Sequence, residues 1–557
     1  MTPMKTLPML AACAALLAAP GCNLAPRYAP PATATPGQFK EAVPSAAGAD
    51  AGPGWTLAAP NDTALGGKWW ELYADPDLNA LEERVAISNQ TVAAAEASYR
   101  AASALVAAAQ AGYFPSVTAD PSVIRSRSSA SAASGNNGAS STATASATVP
   151  ASNSGTRTLY TLPIEATYEV DLWGRVRNTV AQNADNAQVS AADVATALLS
   201  TQSQLAQDYF ELRAADAQRR ILDTTLADYE ASLHLVKTLF DNGLASDQDL
   251  AEADTQLDSA EAQATDLGVA RAQYEHAIAV LIGVPAANFS IAVRPFSPAV
   301  PVVPLALPSD LLERRPDIAA AERQVAAANA GVGIAQAGYY PNLTLSASAG
   351  YEATGLSKLF DWPNRFWSIG PSVVQPLFEG GLLRAENAEA RAEYDQTVAS
   401  YRQTVLAAFQ SVEDDLSGLR ILAKEARQQH RATAAAKREV ELTVSRYQNG
   451  LDSYVDVIAA QNTFLTNREA ELQVQLRHIL ASVNLVNNLG GGWDRSQFPQ
   501  TERTAQHPPD AGDQPVIPSA NAGPGVPNPP PLPNAIAQPE DLLKQNDADM
   551  APEPGAP

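Results

Sequence analysis

Cysteine is scarce in this 557-residue sequence, which has two, Cys13 and Cys22, both near the N-terminus. If Cys22 carries a lipid, as predicted below, no thiol remains for a disulfide. Basic residues are outnumbered as well: 37 lysines and arginines against 60 aspartates and glutamates give a net charge of −23. Nucleic-acid binding needs clustered cations, so the composition argues against nucleic acid as a partner and suits an envelope protein.

Catalytic and metal-binding motifs are also missing. The sequence has no G-x-S-x-G elbow, no P-loop and no H-E-x-x-H pair. Its five histidines stand singly, and we interpret each as a surface or helix-seam residue: His234, His276, His430, His478 and His507. We therefore predict a protein that is not an enzyme and has no catalytic residue, no cofactor and no metal site.

The N-terminus has the sequence features of an export signal: Lys5 precedes a short apolar stretch rich in alanine and leucine. Small residues and then Cys22 follow, so we predict a lipoprotein signal peptide over residues 1–21 and lipidation of Cys22. Two alternatives stay open. Cys13 has the better local motif but almost no apolar region before it, and signal peptidase could cleave without lipidation. Asn23, in place of Asp, favours the outer membrane.

No later stretch supplies the ~20 apolar residues of a transmembrane helix, so a membrane crossing would require a β-barrel. Four segments have the alternating apolar and polar residues of strands: 115–125, 159–173, 341–352 and 366–378. Their length fits tilted membrane strands of about 9–11 residues. The half-buried sheet of a globular protein would fit the pattern equally well.

The sequence is internally duplicated. Residues 111–118 (AGYFPSVT) reappear as residues 337–344 (AGYYPNLT), and residues 240–244 (FDNGL) reappear as residues 447–451 (YQNGL). Both halves have the order helix, strand, strand, long helix, glycine turn, helix. The long helices are predicted over residues 175–240 and 382–447, with apolar residues stepping by three and four as in a coiled coil.

These patterns predict six regions in chain order. They are the signal peptide (1–21), an N-terminal extended segment (22–74), a first repeat (75–290) with a Ser-rich loop (126–157), a linker (291–308), a second repeat (309–493) and a disordered Pro-rich acidic tail (494–557).

Four short strands cannot close a barrel, since the smallest outer-membrane barrels use eight and open edges are not tolerated in lipid. We therefore predict a barrel shared between copies, and a trimer would give twelve strands. The polar strand faces, with Glu165 and Glu169, would line its lumen. The predicted fold class is mainly α with membrane β: coiled-coil-like helices forming a periplasmic α-barrel below a shared β-barrel.

Six segments resemble the TolC-type outer-membrane factors, in particular the lipoprotein branch typified by OprM and NodT. They are residues 22–28 (CNLAPRY), 69–78 (WWELYADPDL), 168–175 (YEVDLWGR), 312–318 (LERRPDI), 375–378 (QPLF) and 489–493 (LGGGW). The resemblance implies a lipid-anchored homotrimer in the outer membrane, surrounded by its lipid, with a twelve-stranded barrel and a twelve-helix periplasmic barrel. It also implies docking to a periplasmic adaptor (membrane fusion) protein and to an inner-membrane pump of the resistance-nodulation-division (RND) type.

The implied function is an efflux channel for small molecules such as drugs, solvents or metals. Two alternatives stay open: the outer-membrane port of a type I protein secretion system, which uses the same fold, and a structural envelope lipoprotein without a pore. Alternating strands between the long helices count against the second alternative.

Glycine turns are predicted to close the two long hairpins at Gly243 and Gly450. The resemblance assigns the periplasmic gate to acids just past these turns, Asp249 and Asp456, with Tyr447 and Arg446 holding the closed state by contacts to the neighbouring hairpin. The second acid that the family often carries three residues after Asp456 is Ala459 here. Asp247 and Asp452 are interpreted instead as caps of helix N-termini.

Overall fold

The computed structural model describes residues 23–33, 35–36, 38–41, 67–127, 156–296, 299–301 and 314–493, which all belong to one unit, Met1–Pro508. Five predictions lie outside these residues wholly or for the most part. They are the signal peptide, the lipidation of Cys22, the N-terminal extended segment, the Ser-rich loop and the C-terminal tail.

The helices and strands follow the duplicated order. The first half contains α1 (Pro76–Ser88), α2 (Gln90–Gln110), β1 (Ser116–Ala119), β2 (Ser122–Arg127), β3 (Thr156–Val170), α3 (Arg175–Asp241) and α4 (Asp247–Leu281). The second half contains α5 (Pro316–Ala337), β4 (Asn342–Ala353), β5 (Arg365–Val374), α6 (Leu382–Gln448) and α7 (Tyr454–Asn488). A 3₁₀ helix, Trp69–Tyr73, precedes α1.

Two very long helices dominate the fold. Helices α3 and α6 have 67 residues each, which at 1.5 Å per residue makes each about 100 Å long. Each turns back into a helix of 35 residues, α4 or α7. The apolar seam predicted along α6 is buried where these helices pack on one another, at Tyr401, Val405, Phe409, Val412, Leu416 and Leu419.

The strands form one antiparallel sheet in the order β1–β3–β4–β5, with β2 also paired to β3. The prediction of an unbroken first strand over residues 115–125 was wrong. It is split between Ala119 and Ser122 by Pro121, whose nitrogen has no hydrogen to donate to a strand partner. The fourth strand ends at Val374 instead of residue 378, just before Pro376, and the second ends at Val170 instead of residue 173.

A buried ionic network attaches the start of the linker to the first hairpin. Arg213 of α3 donates to Asp77 at 3.1 Å and to Asp216 at 3.4 Å, and Arg271 of α4 donates to Asp216 at 2.7 Å. The same two arginines donate to the backbone carbonyls of residues 291–292, at 2.8 and 2.6 Å. Arg213 and Asp216 expose only 4% and 1% of their side chains, so the pair is almost completely desolvated.

Candidate functional site

The sheet has one polar face. The register places Glu165 of β3 opposite Ser348 of β4, which lies opposite Ser368 of β5, and the two serine hydroxyls are hydrogen-bonded at 2.9 Å. Glu169 lies opposite Thr344 on the same face. Three strands therefore present hydroxyl and carboxylate groups to one side, as the alternation in the sequence predicted.

The two glutamates of this face differ in their surroundings. Glu165 is exposed, opposite hydroxyl residues on both neighbouring strands. Glu169 accepts two hydrogen bonds from Arg175, the first residue of α3, one of them from Nε at 2.7 Å. Sequence reasoning missed this partner, which the six-residue separation between Glu169 and Arg175 does not reveal. The negative charge of Glu169 is thus compensated, whereas that of Glu165 is presented to solvent.

The opposite face of the sheet is apolar and uncovered. Rows such as Ile164–Ala349–Trp367 and Val170–Leu343–Val373 cross it from strand to strand. Trp367 exposes 73% of its surface, Ile164 55% and Val373 64%. An exposed apolar surface of this extent in a single chain marks a face that contacts lipid or protein.

Both outer edges of the sheet are open in the described chain. β1 and β5 each pair with one strand only, which leaves a row of backbone donors and acceptors on either side. Such edges are templates for pairing with another copy of the chain.

The hairpin tips lie at the other end of the long helices. Gly243 and Gly450 both adopt φ 71°, a left-handed conformation that suits glycine, and each amide donates to the carbonyl of the second-last residue of its long helix, at 2.8 and 2.9 Å. In the first tip, Ser246 and Asp249 form a reciprocal capping box, with hydrogen bonds of 3.0 and 3.1 Å. In the second, the Asp456 carboxylate accepts from the backbone nitrogen and the hydroxyl of Ser453, at 3.1 and 2.7 Å.

The capping interpretation of Asp452 was therefore wrong. Its carboxylate receives two parallel hydrogen bonds of 2.7 Å from the guanidinium of Arg446, across the turn of the same hairpin. The hydrogen bond from Arg446 and its positive charge hold the pKa of Asp452 below its usual value. Capping falls to Asp456 because a side chain reaches back to the start of a helix from its third position. The capping interpretation of Asp247 was also wrong, because the N-cap of α4 is Ser246. Asp247 is the first residue of that helix, where its charge interacts favourably with the helix dipole.

Tyr447 joins the two tips. Its ring lies 5.5 Å from that of Tyr454, and both belong to an apolar cluster that also takes in Val236 and Ala253 from the first hairpin. Burial, and after it the charge of Asp249, raises the pKa of Tyr447. The predicted contact with the neighbouring hairpin is therefore made by Tyr447 within one chain, whereas Arg446 binds inside its own hairpin.

None of the helices among the described residues is both long enough and apolar enough to cross a membrane. In the same residues, no group of three or more histidine, cysteine, aspartate or glutamate side chains is arranged to hold a metal ion.

The chain is similar to outer-membrane proteins of efflux systems. The family model for outer membrane efflux proteins matches residues 81–284 and 307–491, one range in each repeat. The pyoverdine export outer membrane protein OpmQ of Pseudomonas aeruginosa is 31% identical over 491 residues, which cover 88% of this chain and 97% of that protein. The solvent efflux pump outer membrane protein SrpC of Pseudomonas putida is 31% identical over 498 residues, 88% and 99% of the two chains.

Solved structures agree. The outer-membrane channel OprN superposes with a TM-score of 0.74 at 27% identity, covering 85% of this chain and all of that one. The MtrE channel of Neisseria gonorrhoeae gives 0.71 at 25% identity, covering 85% and 99%. The predicted fold class, outer-membrane location and TolC-type resemblance are thus confirmed. The chain belongs to the outer membrane efflux protein family and is an outer-membrane channel protein of an efflux system that extends into the periplasm.

Proposed function

We propose that three copies of this chain form one duct, with a shared twelve-stranded barrel above a tube of twelve helices. The observation that carries this proposal is the sheet, which has one apolar face, one polar face and two open edges. Pairing β5 of one copy with β1 of the next removes every open edge once the ring closes. The apolar face then meets lipid, and the polar face encloses water.

Within this duct, Glu165 lies on the lumen wall and favours cations there. Its carboxylate is exposed on the polar face, and threefold symmetry repeats it around the axis. A ring of like charges raises the local concentration of cations. Glu169 contributes less, because Arg175 compensates its charge.

The gate lies at the hairpin tips, where threefold symmetry makes rings of Asp249 and of Asp456. Capping uses one carboxylate oxygen of each, which leaves the second oxygen to face the axis. Tyr447 holds the two tips of a chain together, and the Arg446–Asp452 pair stiffens the second turn. Opening requires the second turn to rearrange and the tips to separate, so weakening either the ion pair or the Tyr447 contacts favours the open state.

The lipid anchor is Cys22. The next residue, Asn23, packs against Gly174, so closely that a Cβ at Gly174 would lie 3.3 Å from the Asn23 Cα. Gly174 follows β3 by four residues, so Asn23, the residue after the proposed anchor, lies beside the end of the sheet that adjoins the helices. An acyl chain attached there would enter the inner leaflet of the outer membrane.

Cargo reaches the duct from an RND-type inner-membrane pump through a periplasmic adaptor. The relatives are named for export of pyoverdine and efflux of solvents, so the cargo class we propose is small molecules, including drugs, solvents and metals. The chain itself supplies no energy and no chemistry: it opens and conducts.

Planar-bilayer recording of the purified protein tests this function. Asp452→Asn removes one partner of the ion pair at the tip and should raise the open-channel current several-fold. Glu425→Gln breaks an exposed ion pair to Arg477 in the same hairpin, away from the tip, and should leave the current unchanged. A wild-type protein that inserts without conducting, or that stays a single copy in chemical cross-linking, would refute the proposal.

A further inference from the structure

Charged side chains on the strands are sorted by sign between the two faces of the sheet. Glu165, Glu169 and Glu352 lie on the polar face, the last opposite Thr161. Three of the four arginines on the described strands lie on the apolar face: Arg125 and Arg127 of β2 and Arg365 of β5. The fourth, Arg157 of β3, lies on the polar face.

These arginines occupy one end of the apolar face. The apolar rows run from Val170–Leu343–Val373, next to the helices, to Val123–Tyr160–Ala353, ten residues earlier in β3. At about 3.3 Å per residue and a tilt of about 40°, this band is about 25 Å tall, the height of the hydrocarbon-facing band of outer-membrane barrels.

The register then fixes the level of each arginine. Arg365 lies opposite Tyr351, in the last apolar row but one. Arg125 and Arg127 lie opposite Thr158 and Thr156, beyond the last row on the side away from the helices. All three therefore lie where the apolar band gives way to the level of lipid headgroups.

Aromatic residues mark the same level. Phe360 and Trp362 are both exposed at this end of the sheet, where Phe360 contacts Tyr351. The Arg365 guanidinium lies 3.5 Å above the ring of Trp362, which fixes the cation in place. Tryptophan beside arginine, at the end of an apolar band, is the arrangement expected at a membrane interface.

The cations have no counter-ion in the part of the chain that the structure describes: Arg125, Arg127 and Arg365 form no ion pair there. The neighbouring loop adds Lys358 and a single acid, Asp361, both exposed. An arginine at a lipid boundary is costly without a partner, so an anion from outside the chain would stabilise each of these arginines.

We propose that Arg125, Arg127 and Arg365 bind the phosphate groups of a phosphorylated lipid in the outer leaflet of the membrane. The guanidinium groups match phosphate in charge and geometry, while the apolar rows below them take up the acyl chains. Arg125 and Arg127 are two residues apart on one strand, about 7 Å, so they contact neighbouring phosphates or both sides of one headgroup. This inference rests on the membrane orientation given under the proposed function.

Native mass spectrometry of the detergent-solubilised channel tests the site. The probes are bisphosphorylated lipid A and the same glycolipid stripped of its phosphates. The test variant is the triple change Arg125→Gln, Arg127→Gln and Arg365→Gln, and Arg157→Gln is the matched control, since it removes a cation from the same strand end but from the polar face. At a contribution of about fivefold per arginine, the triple change should weaken binding of the phosphorylated lipid about 100-fold.

The Arg157→Gln protein should bind like the wild type, and the stripped lipid should bind weakly to all three proteins. Equal wild-type affinity for the two lipids would overturn the inference without any variant, as would an equal loss in the Arg157→Gln protein or no loss in the triple variant. Bilayer conductance separates the two proposals. A wild type without conductance refutes the duct, whereas normal conductance with no phosphate preference refutes the lipid site alone.

Discussion

The ionic network around Asp216 gives the sharpest stability prediction. Asp216→Ala leaves Arg213, which is 4% exposed, with Asp77 as its only remaining anion among the described residues. It also takes from Arg271 a hydrogen bond of 2.7 Å. Removing one partner of a buried pair costs about 3–5 kcal/mol. We expect the lower end, about 3 kcal/mol, because Arg271 is one-quarter exposed and keeps Glu275 as a second anion.

Hydrogen exchange followed by mass spectrometry measures this loss of stability in the segment that the network holds in place. The two arginines hold the backbone carbonyls of residues 291–292, so losing Asp216 releases residues 289–296 before the helices unfold. A cost of about 3 kcal/mol raises the open population, and hence the exchange rate of this segment, about 100-fold.

Asp223→Ala is the matched control. It removes the same side chain from the same helix, but the lost pair with Arg219 is half exposed, and such a pair contributes at most about 1 kcal/mol. Equal exchange over residues 289–296 in the two variants would refute the reasoning, because burial would then make no difference to the cost.

Acid should release the same segment. Burial raises the pKa of Glu275, but the hydrogen bond from the Ile291 amide and the charge of Arg271 outweigh it and hold that pKa below its usual value of 4.5. Because the folded pKa is the lower one, this stabilisation is complete above the unfolded pKa. It is lost as the pH falls below about 4.5 and through the folded value. The protection of residues 289–296, which is the intrinsic amide exchange rate divided by the measured rate at the same pH, should therefore fall in that range and stay constant above it.

Two further changes test the packing by thermal unfolding followed by circular dichroism. Gly490→Ala should destabilise the protein strongly, because φ is 97° and the new Cβ would lie 2.0 Å from the Arg314 carbonyl oxygen, whereas Gly268→Ala, in an open stretch of α4, should be neutral or stabilising by up to about 1 kcal/mol. Burial raises the pKa of Glu82, and neither of its carboxylate oxygens has a partner in the described chain, so the wild type should lose stability as the pH rises above about 4.5. Glu82→Met should abolish this loss and stabilise the protein at neutral pH. The control, Glu83→Met at an exposed neighbouring position, should do neither.

The large elements were predictable because each depends on a local pattern. The helix ends at Asp241 and Gln448 lie one residue from those predicted, since an asparagine followed by a left-handed glycine stops a helix whatever surrounds it. The faces of the strands were predictable for the same reason, because alternation along one strand already assigns Glu165 and Ile164 to opposite sides.

The contacts at the site were less predictable. The capping role of Asp249 was readable from Ser246-x-x-Asp249, a pattern with a known geometry. The network of Asp77, Arg213 and Arg271 was not, because its members are far apart in sequence and meet only after three helices have packed. The pair between Arg446 and Asp452 needed the turn geometry, which brings together residues on either side of it.

Comparison of the two repeats indicates a role for the ion pair between Arg446 and Asp452. When the turns are aligned, Arg446 and Asp452 correspond to Leu239 and Ala245 in the first tip, and Tyr447 corresponds to Phe240. Both tips keep the glycine and the serine–aspartate cap, because every hairpin needs a stop and a start. The ion pair exists in the second tip only, so folding the hairpin does not require it. A contact that folding does not require, at the tip where the duct closes, is the kind of contact that a gate can break and remake.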